Sequence, residues 1–235
     1  MRTDGEWEPE AENWIRWART PGFDAYWYYR DAFFDHLLPP PGRRTLDIGC
    51  GEGRVTRDLA AHGHRVAAVD TAHALVHAAR QVDAVGAYVR ATGAALPFAD
   101  RAFDVAVAYN SLQVVDDMAG TVSEAGRVLD RGGHLCVCIA HPVTDLGHFV
   151  DGDDATFTMR DRYFDTVRVD DTVQRRGLTM NFLGWTYTLE QYSVALEQAG
   201  LRIESMREPR PIDAAGDFER WREVPLFLFL CAVKA

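Results

Sequence analysis

The sequence has no uninterrupted apolar run close to the roughly 18 residues that a helix needs to cross a bilayer. Residues 1–12 are acidic and polar, so we expect no secretory signal. Positive charge is scarce, because 25 Lys and Arg residues stand against 35 Asp and Glu residues, a net charge of −10. Contacts with phosphate groups need clustered positive side chains, so this balance disfavours a general nucleic-acid binder. We therefore expect a cytoplasmic monomer or homodimer that binds neither membranes nor nucleic acid.

Cysteine is also scarce. The four cysteines include none in CxxC spacing and none spaced with histidine as metal ligands usually are. We interpret all of them as reduced thiols in the core or in loops: Cys50, Cys136, Cys138 and Cys231. Asp116 and Asp117 are adjacent carboxylates, but the N-cap of a helix explains them more simply than metal ligation does. The sequence therefore predicts no metal site.

Apolar residues are plentiful, at 47% of the chain, which is typical of a soluble globular protein. From residue 44 onward, strand-like and helix-like patterns alternate, as in a parallel α/β sheet. A helix follows the Asp116–Asp117 pair as far as residue 129, a turn at Gly132–Gly133 follows, and a capping box at Thr188 opens the last helix, which Gly200 ends. The other predicted helices are residues 55–61 and 72–81, and the predicted strands are residues 45–48, 64–69, 87–90, 103–109, 134–140, 201–208 and 225–234, the last two as an antiparallel pair at the sheet edge.

Two segments do not share this alternation. Residues 1–42 hold four of the six tryptophans and predict a helical N-terminal lid. Residues 141–187 contain stretches of alternating polarity and predict a partly β insertion on the substrate side. Residues 43–140 then form a Rossmann-like cofactor-binding core, and residues 188–235 complete it with a helix and two strands.

The turn between the first strand and the next helix is rich in glycine, which lets the backbone approach a ligand beside the positive end of a helix. Asp70 ends the second strand, about 20 residues beyond the first glycine, where a carboxylate can accept hydrogen bonds from both hydroxyls of a ribose. Capping of the helix that follows is the alternative role for Asp70. The two features together predict a nucleoside-containing cofactor.

The residues around this turn favour S-adenosylmethionine over a dinucleotide. A dinucleotide fingerprint needs a third glycine, and Arg54 stands at that position. Asp47 lies two residues before Gly49, where it would repel a pyrophosphate but attract the ammonium group of a methionine moiety.

Three motifs carry a resemblance to a known family. Residues 46–53 (LDIGCGEG) resemble motif I of class I S-adenosylmethionine-dependent methyltransferases, residues 96–104 (LPFADRAFD) resemble that family's approach to strand four, and residues 127–133 (RVLDRGG) its approach to strand five. The resemblance covers residues 43–140. It implies an α/β fold with a seven-stranded, mostly parallel sheet, helices on both faces and an antiparallel last strand.

The resemblance also implies where S-adenosyl-L-methionine binds, across the carboxyl ends of the strands. The family often has an acidic residue that binds the adenine amino group before the Leu-Pro-Phe stretch, but residues 91–94 (ATGA) contain none, so Thr92 or a backbone group must serve. The expected cofactor-binding residues are Asp47, Gly49, Cys50, Gly51, Asp70, Thr71, Thr92, Gly93, Ala94, Tyr109 and Asn110.

A methyl group on a sulfonium is already activated, so alignment of the nucleophile is the main catalytic task. A general base is needed only if the acceptor arrives protonated. His141 directly follows the fifth strand and is the expected base, while hydrogen bonding to the backbone is its alternative role. The expected acceptor-binding residues are Trp17, Tyr28, Tyr29, Gln113, His148, Trp185 and Tyr187.

These observations predict a methyltransferase that acts on an O, N or C atom of a small organic acceptor. Two alternatives stay open at this stage: a relative that binds S-adenosylmethionine but catalyses other chemistry, such as a cyclase or decarboxylase, and a non-catalytic binding module.

Overall fold

The computed structural model describes residues 7–83, 86–150, 153–159, 162–214 and 216–235. Residues 1–6 of the expected N-terminal lid and residues 151–152 and 160–161 of the expected insertion lie outside the described residues. The six α-helices within the described residues are α1 (Trp7–Arg19), α2 (Tyr26–His36), α3 (Arg54–Ala61), α4 (His73–Val82), α5 (Met118–Val128) and α6 (Leu189–Gln198).

One seven-stranded sheet forms the centre of the molecule. Its strands are β1 (Thr45–Ile48), β2 (Val66–Asp70), β3 (Ala87–Arg90), β4 (Phe103–Tyr109), β5 (Leu129–Ala140), β10 (Leu201–Arg207) and β11 (Phe227–Lys234). They lie in the order β10-β11-β5-β4-β1-β2-β3. β11 is antiparallel to both of its neighbours, and the pairs among β1 to β5 are parallel. The predicted fold class is confirmed, as is the antiparallel pair of the last two strands at the sheet edge, where β10 is the outermost strand.

Each face of the sheet is covered by helices. On one face, aromatic side chains of α2 pack on β4 and β11, and Phe33 lies with its ring centroid 4.9 Å from that of Tyr109 and 5.3 Å from that of Phe229. On the other face, apolar residues of α5 and α6 pack on the sheet around Leu135 and Leu228. Strands buried on both faces explain the Val- and Ala-rich sequence of β4.

The turn expected at Gly132–Gly133 lies inside a strand rather than before it. β5 begins at Leu129, directly after α5, and runs through both glycines. Gly132 has φ +76°, and the pairing of β5 with β4 is shifted between Phe103 and Val105. The glycines therefore accommodate an irregularity inside a strand, because a left-handed backbone residue can distort a strand without ending it.

The insertion after β5 contains two antiparallel pairs. β6 (Gly147–Val150) pairs with β7 (Asp153–Met159), and β8 (Arg168–Arg175) pairs with β9 (Leu178–Trp185). A 3-10 helix at Gly216–Arg222, which the sequence patterns did not predict, precedes β11. The helical N-terminal segment and the partly β insertion are thus confirmed as structural features. No described helix is long and apolar enough to cross a membrane.

Candidate functional site

A cavity of about 500 Å³ lies at the carboxyl ends of the parallel strands. This edge of an open α/β sheet is where such folds bind ligands. The turn after β1, the ends of β2 and β4 and the segment after β3 form one part of its wall. The rest comes from segments outside the sheet, namely α1, the β8–β9 pair and the 3-10 helix. The cavity therefore has a sheet-side half and a half formed by the added segments.

The glycine turn after β1 allows close packing that a side chain would block. Gly49 has φ +73°, and a Cβ at this position would collide with the Ser111 side chain. Gly51 has φ +56°, and a Cβ there would lie 3.0 Å from Nε1 of Trp14 on α1. The turn consequently lies between the end of β4 and the N-terminal helix, with its backbone at the cavity wall.

The carboxylate of Asp70 connects this turn to the start of α4. Its Oδ2 accepts a hydrogen bond from the backbone N–H of Gly51 at 2.8 Å, and its Oδ1 accepts one from the N–H of Ala72 at 2.9 Å. Asp70 also lines the cavity. The helix-capping interpretation and the position required for ribose binding are therefore both compatible with this geometry, since a carboxylate has about four acceptor sites.

Two charged residues of the same turn are buried against the N-terminal segment. Nη1 of Arg54 lies 2.7 Å from Oδ2 of Asp24, and the guanidinium stacks 4.9 Å from the ring centroid of Trp14 and 4.2 Å from that of Tyr26. Arg54 is the residue that replaces the third glycine of a dinucleotide fingerprint. A glycine would leave the space beside the turn open, whereas the Arg54 side chain occupies it and forms an ion pair with Asp24.

Glu52 is the second buried charge, with its side chain fully buried. Arg19, the last residue of α1, donates from Nε to Glu52 Oε2 at 2.7 Å. Arg57 of α3 donates from Nη2 to Glu52 Oε1 at 2.9 Å. Glu52 thus joins the N-terminal helix to the cofactor turn.

Several polar atoms at the cavity wall are buried without a hydrogen-bond partner among the described residues. Such atoms are costly unless a ligand or water satisfies them. They are Nε1 of Trp7, Trp17 and Trp185, Oη of Tyr109, Oδ1 of Asp24, Oγ of Ser111 and Oε1 of Gln113. This set of donors and acceptors fits a polar, hydrogen-bonding ligand such as an amino-acid-bearing nucleoside.

Known proteins resemble this chain in sequence and in fold. The family model described as "Methyltransferase domain" matches residues 46–137. A demethylmenaquinone methyltransferase of Tropheryma whipplei is 29% identical over 191 residues, which cover 78% of this chain and 76% of that protein. One from Corynebacterium kroppenstedtii is 34% identical over 119 residues, so this chain matches 50% of its length and is itself matched over 51%.

Among solved structures, an S-adenosylmethionine-dependent methyltransferase of Mesorhizobium loti superposes with a TM-score of 0.72 at 25% identity. The superposition covers 90% of this chain and 98% of that one. The family match and this superposition support a class I S-adenosylmethionine-dependent methyltransferase. S-adenosyl-L-methionine is accordingly its cofactor, and the unpartnered polar atoms and the glycine turn fit such a group.

Most residues expected to bind the cofactor of this methyltransferase line the cavity. They are Gly49, Cys50, Gly51, Asp70, Thr71, Gly93, Tyr109 and Asn110. Thr92 and Ala94 do not line it, because Thr92 Oγ1 accepts from the N–H of Ala94 at 3.4 Å and shapes the turn instead. Ala91, which the sequence analysis did not single out, lines the cavity beside Gly93.

Three of the residues expected to bind the acceptor line the cavity: Trp17, Gln113 and Trp185. Tyr28 and Tyr29 lie behind the wall, where they contact Phe218 and Phe227 with ring centroids 4.7 and 4.9 Å apart. His148 is exposed on β6, and Tyr187 packs on Tyr192 of α6. The three tyrosines therefore pack against other aromatic rings, and His148 lies at the surface.

His141 does not line the cavity either. It is 5% exposed, its Nδ1 accepts from the N–H of Val143 at 3.2 Å, and its Nε2 lies 3.0 Å from Glu208 Oε1. Burial lowers the pKa of His141, against the opposing effect of Glu208. A neutral ring that accepts at Nδ1 carries its proton on Nε2 and donates it to Glu208. Neither nitrogen is therefore positioned to take a proton from an acceptor.

The sequence analysis missed several residues of the wall. Phe182, Phe218 and Trp221 line the cavity from β9 and the 3-10 helix. Their sequence neighbourhoods carry no motif, and only the fold brings them to the site. Asp24 was missed for the same reason, because nothing in the sequence links it to Arg54.

Asp47 lies behind the glycine turn and does not line the cavity. It is 1% exposed, and Thr56 Oγ1 donates a hydrogen bond to its Oδ2 at 2.6 Å. Burial raises the pKa of Asp47 to about 7, the Thr56 hydrogen bond lowers it, and the nearby charge of Asp70 raises it further. Asp47 thus connects β1 to α3.

The raised pKa of Asp47 gives a testable pH dependence. The ionised form is disfavoured in the folded state, so stability decreases as pH rises from the unfolded-state pKa of about 3.9 to about 7, and is level above that. Asn keeps an acceptor for Thr56 but cannot ionise. We expect the melting temperature of Asp47→Asn, relative to the unchanged protein, to be higher at pH 8 than at pH 5 by differential scanning calorimetry. A difference that stays constant over this range would contradict the raised pKa.

Proposed function

We propose that this chain transfers a methyl group from S-adenosylmethionine to an O, N or C atom of a small organic acceptor bound in the same cavity. The continuity of the cavity carries the proposal, because it extends without a break from the glycine turn to a chamber lined by aromatic side chains. The two relatives described above are named demethylmenaquinone methyltransferases, and a small organic acceptor in their names supports this class of substrate.

The cofactor, when bound, supplies a methyl group on a sulfonium that needs no further activation. Asp70 would hold the ribose, and the backbone at Gly49 and Gly51 would lie against the methionine part. Trp7, Trp14 and Leu75 form the neighbouring wall from α1 and α4. The buried ion pairs of Glu52 and Arg54 hold this wall rigid, as precise alignment requires.

The other half of the cavity would select the acceptor. Trp17, Phe182 and Trp185 meet there from α1 and β9, together with Phe218 and Trp221 of the 3-10 helix. Aromatic walls with a few polar groups are typical of sites for small molecules. A total volume of about 500 Å³ favours a compact acceptor over a folded macromolecule.

The arrangement of His141 leads us to propose that catalysis relies on alignment and exclusion of water rather than on a histidine base. Asp24, Ser111 and Gln113 line the cavity, and each has a buried polar side-chain atom without a hydrogen-bond partner among the described residues. They would orient an acceptor by hydrogen bonding. Alignment alone can contribute about 7–11 kcal/mol to the lowering of a barrier.

The direct test of this function is a methyl-transfer screen with cofactor labelled in the methyl group, over a pool of small metabolites. We expect label to appear in a low-molecular-weight product. Release of cofactor product without a labelled acceptor, or label only in macromolecules, would contradict the proposal.

Once an acceptor is known, Trp185→Ala tests the acceptor half of the cavity. Loss of a buried aromatic contact of about 1.5 kcal/mol should raise the KM for the acceptor roughly 10-fold or more. The affinity for S-adenosylhomocysteine should stay unchanged. Phe164→Ala is the matched control, because Phe164 is 83% exposed. An unchanged KM in Trp185→Ala would place the acceptor elsewhere.

The second kinetic test concerns His141. His141→Asn should keep turnover at neutral pH, because both ring nitrogens are engaged with Val143 and Glu208. Single-turnover measurements at saturating cofactor report the rate of the methyl-transfer step itself. A loss of roughly 10²–10⁴-fold, with recovery at high pH, would instead identify His141 as a general base.

A further inference from the structure

Ligand-type side chains from three strands meet on one face of the sheet, away from the cavity. His134 of β5, Glu204 of β10 and Cys231 of β11 place one nitrogen, oxygen or sulfur atom each within 4.8 Å of one another. His134 lies about six residues before Ala140, which lines the cavity. At about 3.3 Å per residue, the cluster is on the order of 20 Å from the proposed reaction.

A β-bulge brings Glu204 into this cluster. Ile203 of β10 pairs with Ala232, and Ser205 pairs with Cys231, so Glu204 is an extra residue without a pairing partner on β11. A bulge of this kind redirects a side chain relative to the alternation of the strand. Oε2 of Glu204 consequently lies 3.4 Å from Nε2 of His134, and the edge strand supplies a carboxylate beside a thiol.

A second thiol, that of Cys136, forms a hydrogen bond with Cys231. Cys136 of β5 lies directly opposite Cys231, and their sulfur atoms are 3.7 Å apart with the Cys136 S–H donating to Cys231. The Cys231 sulfur is therefore the acceptor of this pair. A thiolate at Cys231 is the form that binds metal ions.

The burial of the thiol and the exposure of the other two side chains are also suitable for binding a metal ion. Cys231 is 4% exposed, whereas the His134 and Glu204 side chains are 26% and 58% exposed. The thiol is thus shielded from solvent, and the carboxylate and imidazole provide an entry path for an ion.

We propose that His134, Glu204 and Cys231 bind a transition-metal ion of the Zn²⁺ class, with solvent in the fourth position. Imidazole, carboxylate and thiolate are the ligands that Zn²⁺ takes in proteins, and a nitrogen and an oxygen bound at ~2.0 Å in a tetrahedron lie about 3.3 Å apart. The Nε2–Oε2 distance of 3.4 Å already matches that separation. The ion would join the edge strand to the two strands beside it, independently of the methyl-transfer function.

The test uses the full chain without an affinity tag, stripped with a chelator and kept reduced with a phosphine. Titration with Co²⁺ should give one equivalent of binding and a sulfur-to-cobalt charge-transfer band in the near ultraviolet, and Zn²⁺ should displace the band. Cys231→Ser should abolish it. Glu204→Gln, at an exposed position where folding is not at risk, should weaken binding roughly 10-fold or more, as loss of groups at metal sites does.

His62→Gln is the matched control, because His62 forms an exposed pair with Asp35 at 3.6 Å elsewhere on the surface. It should leave Co²⁺ affinity unchanged. The proposal is overturned if the unchanged protein gives no charge-transfer band, if the band survives in Cys231→Ser, or if Glu204→Gln binds as tightly as His62→Gln. Circular dichroism of each variant verifies that it is folded.

Discussion

The structure depends on two buried charges in the turn that follows β1. Glu52 and Arg54 lie on either side of Gly53, and the N-terminal segment supplies a partner for each, Arg19 for Glu52 and Asp24 for Arg54. Loss of a partner from a buried ion pair is costly, so these contacts stabilise the N-terminal segment on the turn, while Arg57 of α3 also pairs with Glu52. The cofactor turn and the N-terminal segment are therefore linked by side-chain ion pairs on both sides of Gly53.

The two halves of the cavity come from different parts of the fold. The sheet supplies a glycine turn and Asp70, which adjoin the start of α4, and these elements lie within the residues 46–137 that match the methyltransferase domain. The aromatic half of the cavity comes from α1, the β8–β9 pair and the 3-10 helix, which lie outside the matched residues 46–137. Under the proposed function, most of the aromatic residues that would select the acceptor therefore lie outside the matched stretch, whereas Gly49, Gly51 and Asp70 lie within it.

Local patterns in the sequence predicted much of the fold. β3 and β4 have the predicted bounds, and the capping box at Thr188 is present with both of its hydrogen bonds. These features depend on residues near each other in the chain, such as alternating burial, glycine at a turn and a cap three residues from its partner. β5 begins at Leu129 rather than at the predicted His134, because a glycine with positive φ can also lie within a strand.

Contacts between distant residues could not be predicted in this way. The pairing of Arg54 with Asp24, the approach of Trp221 to the cavity and the bulge that carries Glu204 to His134 all join residues far apart in the chain. The expectation of no metal site considered residues close together in the sequence, namely the spacing of cysteines and histidines and the Asp116–Asp117 pair, and it stays a prediction. His141 illustrates the same limit, because its position after β5 suggested a base, whereas its partners at both nitrogens were visible only in three dimensions.

The most direct measurement is calorimetric titration of S-adenosylhomocysteine and of NAD into the unchanged protein and into Asp70→Asn. The account predicts that S-adenosylhomocysteine binds in the micromolar range or tighter and that NAD does not bind measurably. It also predicts that Asp70→Asn, while folded, loses roughly 10-fold or more in affinity, because a charged acceptor for the ribose contributes ~1.5–3 kcal/mol. Preferential binding of NAD, or an unchanged affinity in Asp70→Asn, would contradict the assignment of the cavity.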